Sequence, residues 1–245
     1  MHAAAFRALG MPHTYEAIRA TADELPAIVQ ALRDRALDGL NVTVPHKQRA
    51  FALADERRTG GLEAANTLVR DATGRVVAYN TDVPALADEL RALAGPGAQW
   101  AARRGLVLGS GGAARAAVEA LRTLGAVDVA VRARTPRLGA AQPWAPSAES
   151  ERLTLAVVQA TSAGMQGADP GEPVAAAVAW EALPDDAVAI DLVYAPPETP
   201  FLRAARRRGL RAENGLGMLA RQGARAFELW LGVPAPLDVM RRAIG

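Results

Sequence analysis

Lys47 is the only lysine among the chain's 28 basic residues, and it closes the segment Asn41-Val42-Thr43-Val44-Pro45-His46-Lys47. Arginine is effectively always protonated, whereas a lysine in a desolvated pocket can lose and regain a proton near neutrality. In a chain that uses arginine wherever a positive charge suffices, the surviving lysine is a candidate for proton transfer. Asp82 ends Asn80-Thr81-Asp82, just before a helical stretch. On local grounds it is the N-cap carboxylate of that helix. In a cleft beside Lys47 it would also hold the ammonium and tune its proton affinity, the usual arrangement of a general acid/base pair.

A second chemistry is written in Gly105-Leu106-Val107-Leu108, which runs into Gly109-Ser110-Gly111-Gly112-Ala113-Ala114-Arg115 and a helical stretch ending at Gly125. Strand, glycine turn and helix N-terminus in that order form a dinucleotide fingerprint, with the pyrophosphate facing the first helical amides. Gly109 permits the turn, Gly111 lets the backbone approach the phosphates, and Ala114 lets the helix lie close to the strand. The next strand ends at Ala133-Arg134-Thr135, where NAD-binding chains usually carry a carboxylate for the ribose hydroxyls. A guanidinium there matches a 2′-phosphate in geometry and charge, and no acid stands beside it in sequence, so the expected cofactor is NADP.

These residues need elements to position them. From Met1 to Asp82 the pattern reads helix, strand, helix, strand, helix and hairpin. His2–Leu9 is a helix stopped by Gly10, Thr14–Ala17 a short strand, and Leu25–Arg35 an amphipathic helix capped by Asp23. Leu40–Val44 is a brief buried strand ended by Pro45, which can open the helix carrying Lys47. Asn66–Arg70 and Arg75–Asn80 alternate around the turn residues Asp71-Ala72-Thr73-Gly74. From Val83 to about Glu213, strands at Leu106–Leu108, Val127–Arg132, Leu155–Gln159 and Val188–Val193 are separated by helices, the pattern of a parallel sheet. Pro136–Arg152 reads as an irregular crossover, and helices return over Met218–Leu231 and Leu237–Ile244. The fold class expected is α/β: a mixed lobe of residues 1–82 plus 215–245, its C-terminal helices packing back on it, and a doubly wound Rossmann-type lobe of residues 83–214.

Composition narrows the partners. With no cysteine, disulfides, thiolate nucleophiles and iron–sulfur clusters are excluded, and His2, His13 and His46 make no ligand pair, so no metal is expected. A formal charge of +2 over 245 residues is small, and runs such as Arg206-Arg207-Arg208 read as solvated helix faces, so nucleic acid is not an expected partner. No apolar run of about eighteen residues and no signal-like start is present, which excludes a membrane partner by expectation and leaves the cytoplasm as the default location. The expected partners are a small-molecule substrate and, as protein partner, a second copy in a homodimer.

The motifs together resemble those of the shikimate dehydrogenase family, which reduces 3-dehydroshikimate reversibly with NADPH. Its Asn-Val-Thr-x-Pro-x-Lys resembles Asn41 to Lys47, its Ala-x-Asn-Thr resembles Ala64 to Thr67, and its Asn-Thr-Asp resembles Asn80 to Asp82. The glycine loop is similar to Gly109 to Arg115, Asn-Arg-Thr to Ala133-Arg134-Thr135, and Ala-Thr-Ser to Ala160-Thr161-Ser162. Asp-x-x-Tyr resembles Asp191 to Tyr194, and Gly-Leu-Gly-Met-Leu-x-x-Gln resembles Gly215 to Gln222. The resemblance implies a Lys47 and Asp82 catalytic dyad. It implies that Thr43, Asn66, Thr81 and Gln222 bond the substrate's hydroxyls and that Tyr194 lines the pocket. It implies that Gly109, Ser110, Gly111, Gly112, Ala113, Ala114, Arg134, Thr135 and Thr161 hold the cofactor, with Gly217 and Met218 near the nicotinamide.

Two departures accompany the resemblance. Ala133 stands where the family has an asparagine that helps hold the adenosine, which implies a looser cofactor site. Met1 to Phe6 resembles the helix that in the family follows a Ser-x-Ser-Pro segment, so the family's first strand and two carboxylate-binding serines have no counterpart, and a start site placed too late or a truncated chain is the expectation. A quinate/shikimate dehydrogenase of relaxed specificity and a non-catalytic NADP-binding protein remain open beside the leading reading.

Overall fold

Asp71 builds a tight turn, its Oδ1 accepting from the backbone amides of Thr73 and Arg75, each at 2.9 Å, while Gly74 takes φ of +91°. The turn joins β3 (Thr67–Arg70) to antiparallel β4 (Val76–Tyr79). β1 (Gly39–Asn41) adds antiparallel to β3, and β2 (Glu56–Arg58) adds parallel to β4, giving the order β1-β3-β4-β2. The computed structural model describes residues 1–135 and 142–245. The chain divides into two units, Met1–Ala85 with Leu219–Gly245, and Leu86–Met218.

In the first unit α2 (Leu25–Arg33) lays Leu25, Val29 and Leu32 into a core shared with Leu68, Val76 and Ala78 of the sheet and Ala50 of α3 (Lys47–Leu53). Leu32 and Leu68 are fully buried, each contributing about 1.5–3 kcal/mol of apolar burial. A second cluster joins Ala5 and Phe6 of α1 (His2–Ala8) to Ala224 and Phe227 of α9 (Leu216–Leu231) and Met240 of α10 (Leu237–Arg242). The C-terminal helices therefore pack on the N-terminal one.

Three local expectations do not hold. Asp23 does not cap α2; Glu24 occupies the cap position, and its carboxylate turns back to accept from the Thr21 amide at 2.7 Å and hydroxyl at 2.9 Å. Thr14–Ala17 is not a strand: residues 12–19 make no backbone-to-backbone hydrogen bond among the described residues, and β1 is laddered only to β3. A strand needs a partner ladder, and sequence pattern cannot supply one. Leu40–Val44 is not a buried strand either, since β1 stops at Asn41 with its residues half-buried and Val44 is 76% exposed.

The indole of Trp230 in α9 covers Gly39, its Nε1 donating to the Leu68 carbonyl at 3.1 Å, and a Cβ on Gly39 would overlap that ring. Gly39→Ala is expected to expel the indole and lower stability by roughly 1–3 kcal/mol, read as a shift in the urea midpoint.

The second unit is built on five parallel strands, β5 (Arg104–Leu108), β6 (Asp128–Arg132), β7 (Thr154–Gln159), β8 (Val188–Asp191) and β9 (Arg211–Asn214), in the order β6-β5-β7-β8-β9. β7 is buried along its whole length, which is why it reads as a continuous apolar run. The crossovers include α5 (Gly112–Thr123), α6 (Ala148–Glu151), α7 (Glu172–Ala176) and α8 (Pro200–Arg207). The chain leaves β5 for β6 on one side and later places β7 on the other, so a topological switch lies outside the carboxyl ends of β5 and β7. Part of the expected irregular crossover, residues 136–141, lies outside the described residues; beyond it Gln142 bridges to Arg132 and α6 is a single turn.

At the end of β6, Arg132 is 2% exposed and pairs twice with Glu151, at 2.7 and 2.9 Å, while Nη1 also donates to the Ala177 carbonyl at 2.9 Å. This anchor sits immediately before Ala133-Arg134-Thr135. At the end of β8, Asp191 accepts from the Val193 amide at 2.9 Å and from the Thr199 hydroxyl that caps α8. Burial pushes its carboxyl up to about 6 from an ordinary 3.8, against the opposing pull of those two bonds. Between about pH 4 and about pH 6 the folded chain keeps a proton that the unfolded chain has lost. Its favourable contribution, roughly 3 kcal/mol, is complete below that window and is lost as pH rises through it. Asp191→Asn is expected to flatten this part of the stability profile and to raise the urea midpoint at neutral pH more than at about pH 4.

Candidate active site

Lys47 opens α3 directly after a turn in which the His46 amide donates to the Thr43 carbonyl at 2.9 Å. Its own carbonyl accepts from the Ala65 amide at 2.9 Å, which ties the start of α3 to the segment that carries Asn66. Asp82 opens α4 (Asp82–Ala94), but it does not cap the helix. The Oδ1 of Asn80 accepts from the amides of Asp82 at 3.1 Å and Val83 at 3.4 Å, so the carboxylate is free of the helix terminus. The expected capping role thus belongs to Asn80, two positions earlier.

The freed carboxylate is shared between two donors. Lys47 Nζ donates to Oδ2 at 2.7 Å, and Asn66 Nδ2 donates to Oδ1 at 2.9 Å. Asn66 is 3% exposed and is itself held by the Thr81 amide, which donates to its Oδ1 at 2.8 Å. Its Nδ2 also lies 2.9 Å from the Thr81 hydroxyl and 3.5 Å from Gln222 Oε1. Side-chain exposures of 27% for Lys47 and 14% for Asp82 leave the ammonium reachable from solvent while its partner is mostly enclosed. An ammonium of fixed direction, two hydrogen-bonded amides and a hydroxyl make a surface suited to a ligand with several oxygens and to proton exchange at one of them.

Lys47, Asp82, Asn66, Thr81 and Gln222 therefore fall into one hydrogen-bonded group of the first unit. Thr43 does not join it; it is exposed and lines a cavity of about 520 Å³ with Tyr15, Asn41, His46 and Trp230. Within that lining the Tyr15 hydroxyl donates to Asn41 Oδ1 at 3.0 Å.

In the second unit Gly109 directly follows β5 with φ of +125°, and its amide donates to the Arg132 carbonyl at 2.7 Å. A Cβ there would stand 2.9 Å from the backbone oxygen of Ala160 and 3.0 Å from Thr161 Cγ2, so only glycine fits. Gly111 is the N-cap of α5 and offers no side-chain cap, and a Cβ on Gly111 or Gly112 would meet nothing within 4 Å. Gly112 and Ala113, which open α5, are exposed, with the positive end of the helix dipole behind them. Ala114 is fully buried against the sheet. An anionic, extended ligand such as a dinucleotide fits this cradle, the pyrophosphate at the helix start and a phosphate at Arg134.

Gly109, Ser110, Arg134, Thr135 and Thr161 line one cavity of about 200 Å³, with Ala133, Trp144, Ser162, Ala163 and Asp169. The Ser110 hydroxyl donates to the Thr135 carbonyl at 2.8 Å, joining the glycine loop to the arginine loop. Gly217 and Met218 stand at the start of α9 and Tyr194 follows β8, 47% exposed; none of the three lines this cavity. The expectation that no acid stands near Arg134 is wrong in space. Asp169 Oδ2 lies 2.8 Å from Arg134 Nη1, brought there by the turn after β7 in which the Gly164 amide donates to the Asp169 carbonyl at 2.8 Å. Trp144 and Asp169 belong to no sequence motif, and only the folding of distant loops onto one crevice reveals them.

Residues 1–68 match the model of the shikimate dehydrogenase substrate binding domain, and residues 215–244 that of the shikimate 5′-dehydrogenase C-terminal domain. A shikimate dehydrogenase (NADP(+)) of Methylobacterium radiotolerans is 42% identical over 243 residues, covering 93% of this chain and 83% of the relative. The crystal structure of a Thermus thermophilus shikimate 5-dehydrogenase in complex with NADP(H) and shikimate is 36% identical, with a TM-score of 0.80 over 99% of this chain and 91% of the other. A Listeria monocytogenes shikimate 5-dehydrogenase in complex with shikimate and NAD is 25% identical, with a TM-score of 0.84 over 100% and 90%.

Proposed function

The chain belongs to the shikimate dehydrogenase family, and we propose that it catalyses the reversible NADP-dependent reduction of 3-dehydroshikimate to shikimate, a step of aromatic amino-acid biosynthesis carried out in the cytoplasm. The observation that supports this reading most strongly is the Lys47–Asp82 pair at 2.7 Å, with the other carboxylate oxygen held by Asn66. NADPH, when bound, supplies the hydride. The chain supplies the proton and the position. Lys47 gives its proton to the substrate oxygen as the carbonyl is reduced and takes it back when the alcohol is oxidised. Asp82 holds the ammonium in its direction and stabilises it, and Asn66 prevents the carboxylate from rotating away.

In the same reading Thr43, Asn66, Thr81 and Gln222 bond the ring hydroxyls, and Tyr194 lines the pocket. Gly109, Ser110, Gly111, Gly112, Ala113 and Ala114 receive the pyrophosphate. Arg134 and Thr135 receive the 2′-phosphate, Thr161 also holds the cofactor, and Gly217 and Met218 lie near the nicotinamide.

Oxidation of shikimate and of quinate by NADP+, followed through the nicotinamide absorbance, tests the assignment. A kcat/KM for shikimate above that for quinate by roughly tenfold or more is expected, because a polar site built for one hydroxyl pattern leaves groups unpaired on the other. Equal turnover of both would favour the relaxed-specificity enzyme, and cofactor binding with no turnover of either would favour a non-catalytic protein.

A further inference from the structure

Among the described residues Arg134 is the only cation lining the cavity at the glycine loop, and it is already paired there. Asp169 Oδ2 lies 2.8 Å from its Nη1, and both residues line the same cavity as Gly109, Ser110, Thr135 and Thr161. The two side chains are 68% and 58% exposed, so the pair is weak and either partner can turn to a ligand. Their positions differ in firmness from their side chains. Arg134 follows the buried Arg132 anchor by two residues, and Asp169 is fixed through its carbonyl to the Gly164 amide at 2.8 Å.

A dinucleotide can present one of two groups at this place. A 2′-phosphate is a dianion that Arg134 attracts and Asp169 repels, so it must displace the carboxylate from the guanidinium. A free 2′-hydroxyl is a donor, and a carboxylate is its usual acceptor in dinucleotide folds. The Arg134–Asp169 pair therefore holds one recognition element for each form of the cofactor, one of them contributed by a loop remote from the end of β6.

We propose that Asp169 is a specificity-determining residue that weakens the preference for phosphorylated cofactor and lets the site accept NADH as well as NADPH. The proposal rests on the reading that a dinucleotide binds at the glycine loop. Its test is binding of NADPH and of NADH, each titrated by nicotinamide fluorescence, to the wild type, Asp169→Asn and Asp169→Ala.

Asp169→Asn removes the charge and keeps an acceptor, so NADPH is expected to bind about threefold to tenfold more tightly with NADH little changed. Asp169→Ala removes the acceptor too, so NADPH is expected to tighten similarly while NADH weakens by a few fold. The gain for NADPH should shrink as salt rises, because an exposed charge is screened. An unchanged ratio of the two affinities, with NADPH still bound, would overturn the role of Asp169 and leave the dinucleotide reading standing. Failure of all three proteins to bind either cofactor would overturn both.

Discussion

Lys47→Ala is expected to lower turnover of 3-dehydroshikimate by roughly 10²- to 10⁴-fold, the range that a positioned acid/base group contributes. NADPH affinity should change by less than about twofold, since the residues proposed to hold the cofactor are in the other unit and none of them bonds Lys47. Stability should change little. The Lys47–Asp82 pair is partly exposed, and Asp82 keeps the Asn66 donor at 2.9 Å when the ammonium is gone. Lys47→Arg separates charge from proton transfer, because a guanidinium keeps the charge and does not release a proton. If proton transfer is the role, arginine rescues KM but not kcat. Steady-state kinetics of both variants, beside cofactor titration, decide between the two.

Gly109→Ala is expected to abolish measurable cofactor binding, a loss of about 100-fold or more, and to cost roughly 2–4 kcal/mol of stability. Two independent strains add at this residue. A φ of +125° is a conformation that side chains with a Cβ avoid, and the new methyl would lie 2.9 Å from a backbone oxygen of the neighbouring strand end. The Ala160 carbonyl cannot move aside as a side-chain tip can, so the loop must shift and take the start of α5 with it. NADPH titration and the urea midpoint should fall together. A variant that bound NADPH normally would place the pyrophosphate elsewhere.

The parts of the fold that were legible in the sequence are those whose burial is written in their own residues. β5, β7 and β8 are buried apolar runs, and the glycine loop sits between β5 and α5 as its residues indicate. β2 and β9 were not legible. Glu56–Arg58 has no apolar residue, and in Arg211–Asn214 only Ala212 is buried, so both owe their strand form to the neighbour they ladder with. The reverse holds at Thr14–Ala17, where the residues suit a strand and no ladder is formed.

The candidate site divides in the same way. Lys47 stood out by being alone of its type, and Asp82 by its place in Asn80-Thr81-Asp82. Which residue caps α4 was not legible, because Asn80 and Asp82 are both good caps and the choice is made by Lys47 and Asn66 pulling on the carboxylate from other elements. Asp169 was hidden for a simpler reason: it lies 35 positions beyond Arg134, and no local pattern marks a residue that meets its partner only through the sheet.

The most direct measurement is the disappearance of NADPH absorbance when the purified chain is mixed with 3-dehydroshikimate, with the product identified by chromatography against authentic shikimate. Stoichiometric formation of shikimate, lost in Lys47→Ala at unchanged NADPH affinity, is the predicted result. A protein that binds NADPH and leaves 3-dehydroshikimate unreduced, or one whose Lys47→Ala variant turns over as fast as the wild type, would contradict the account.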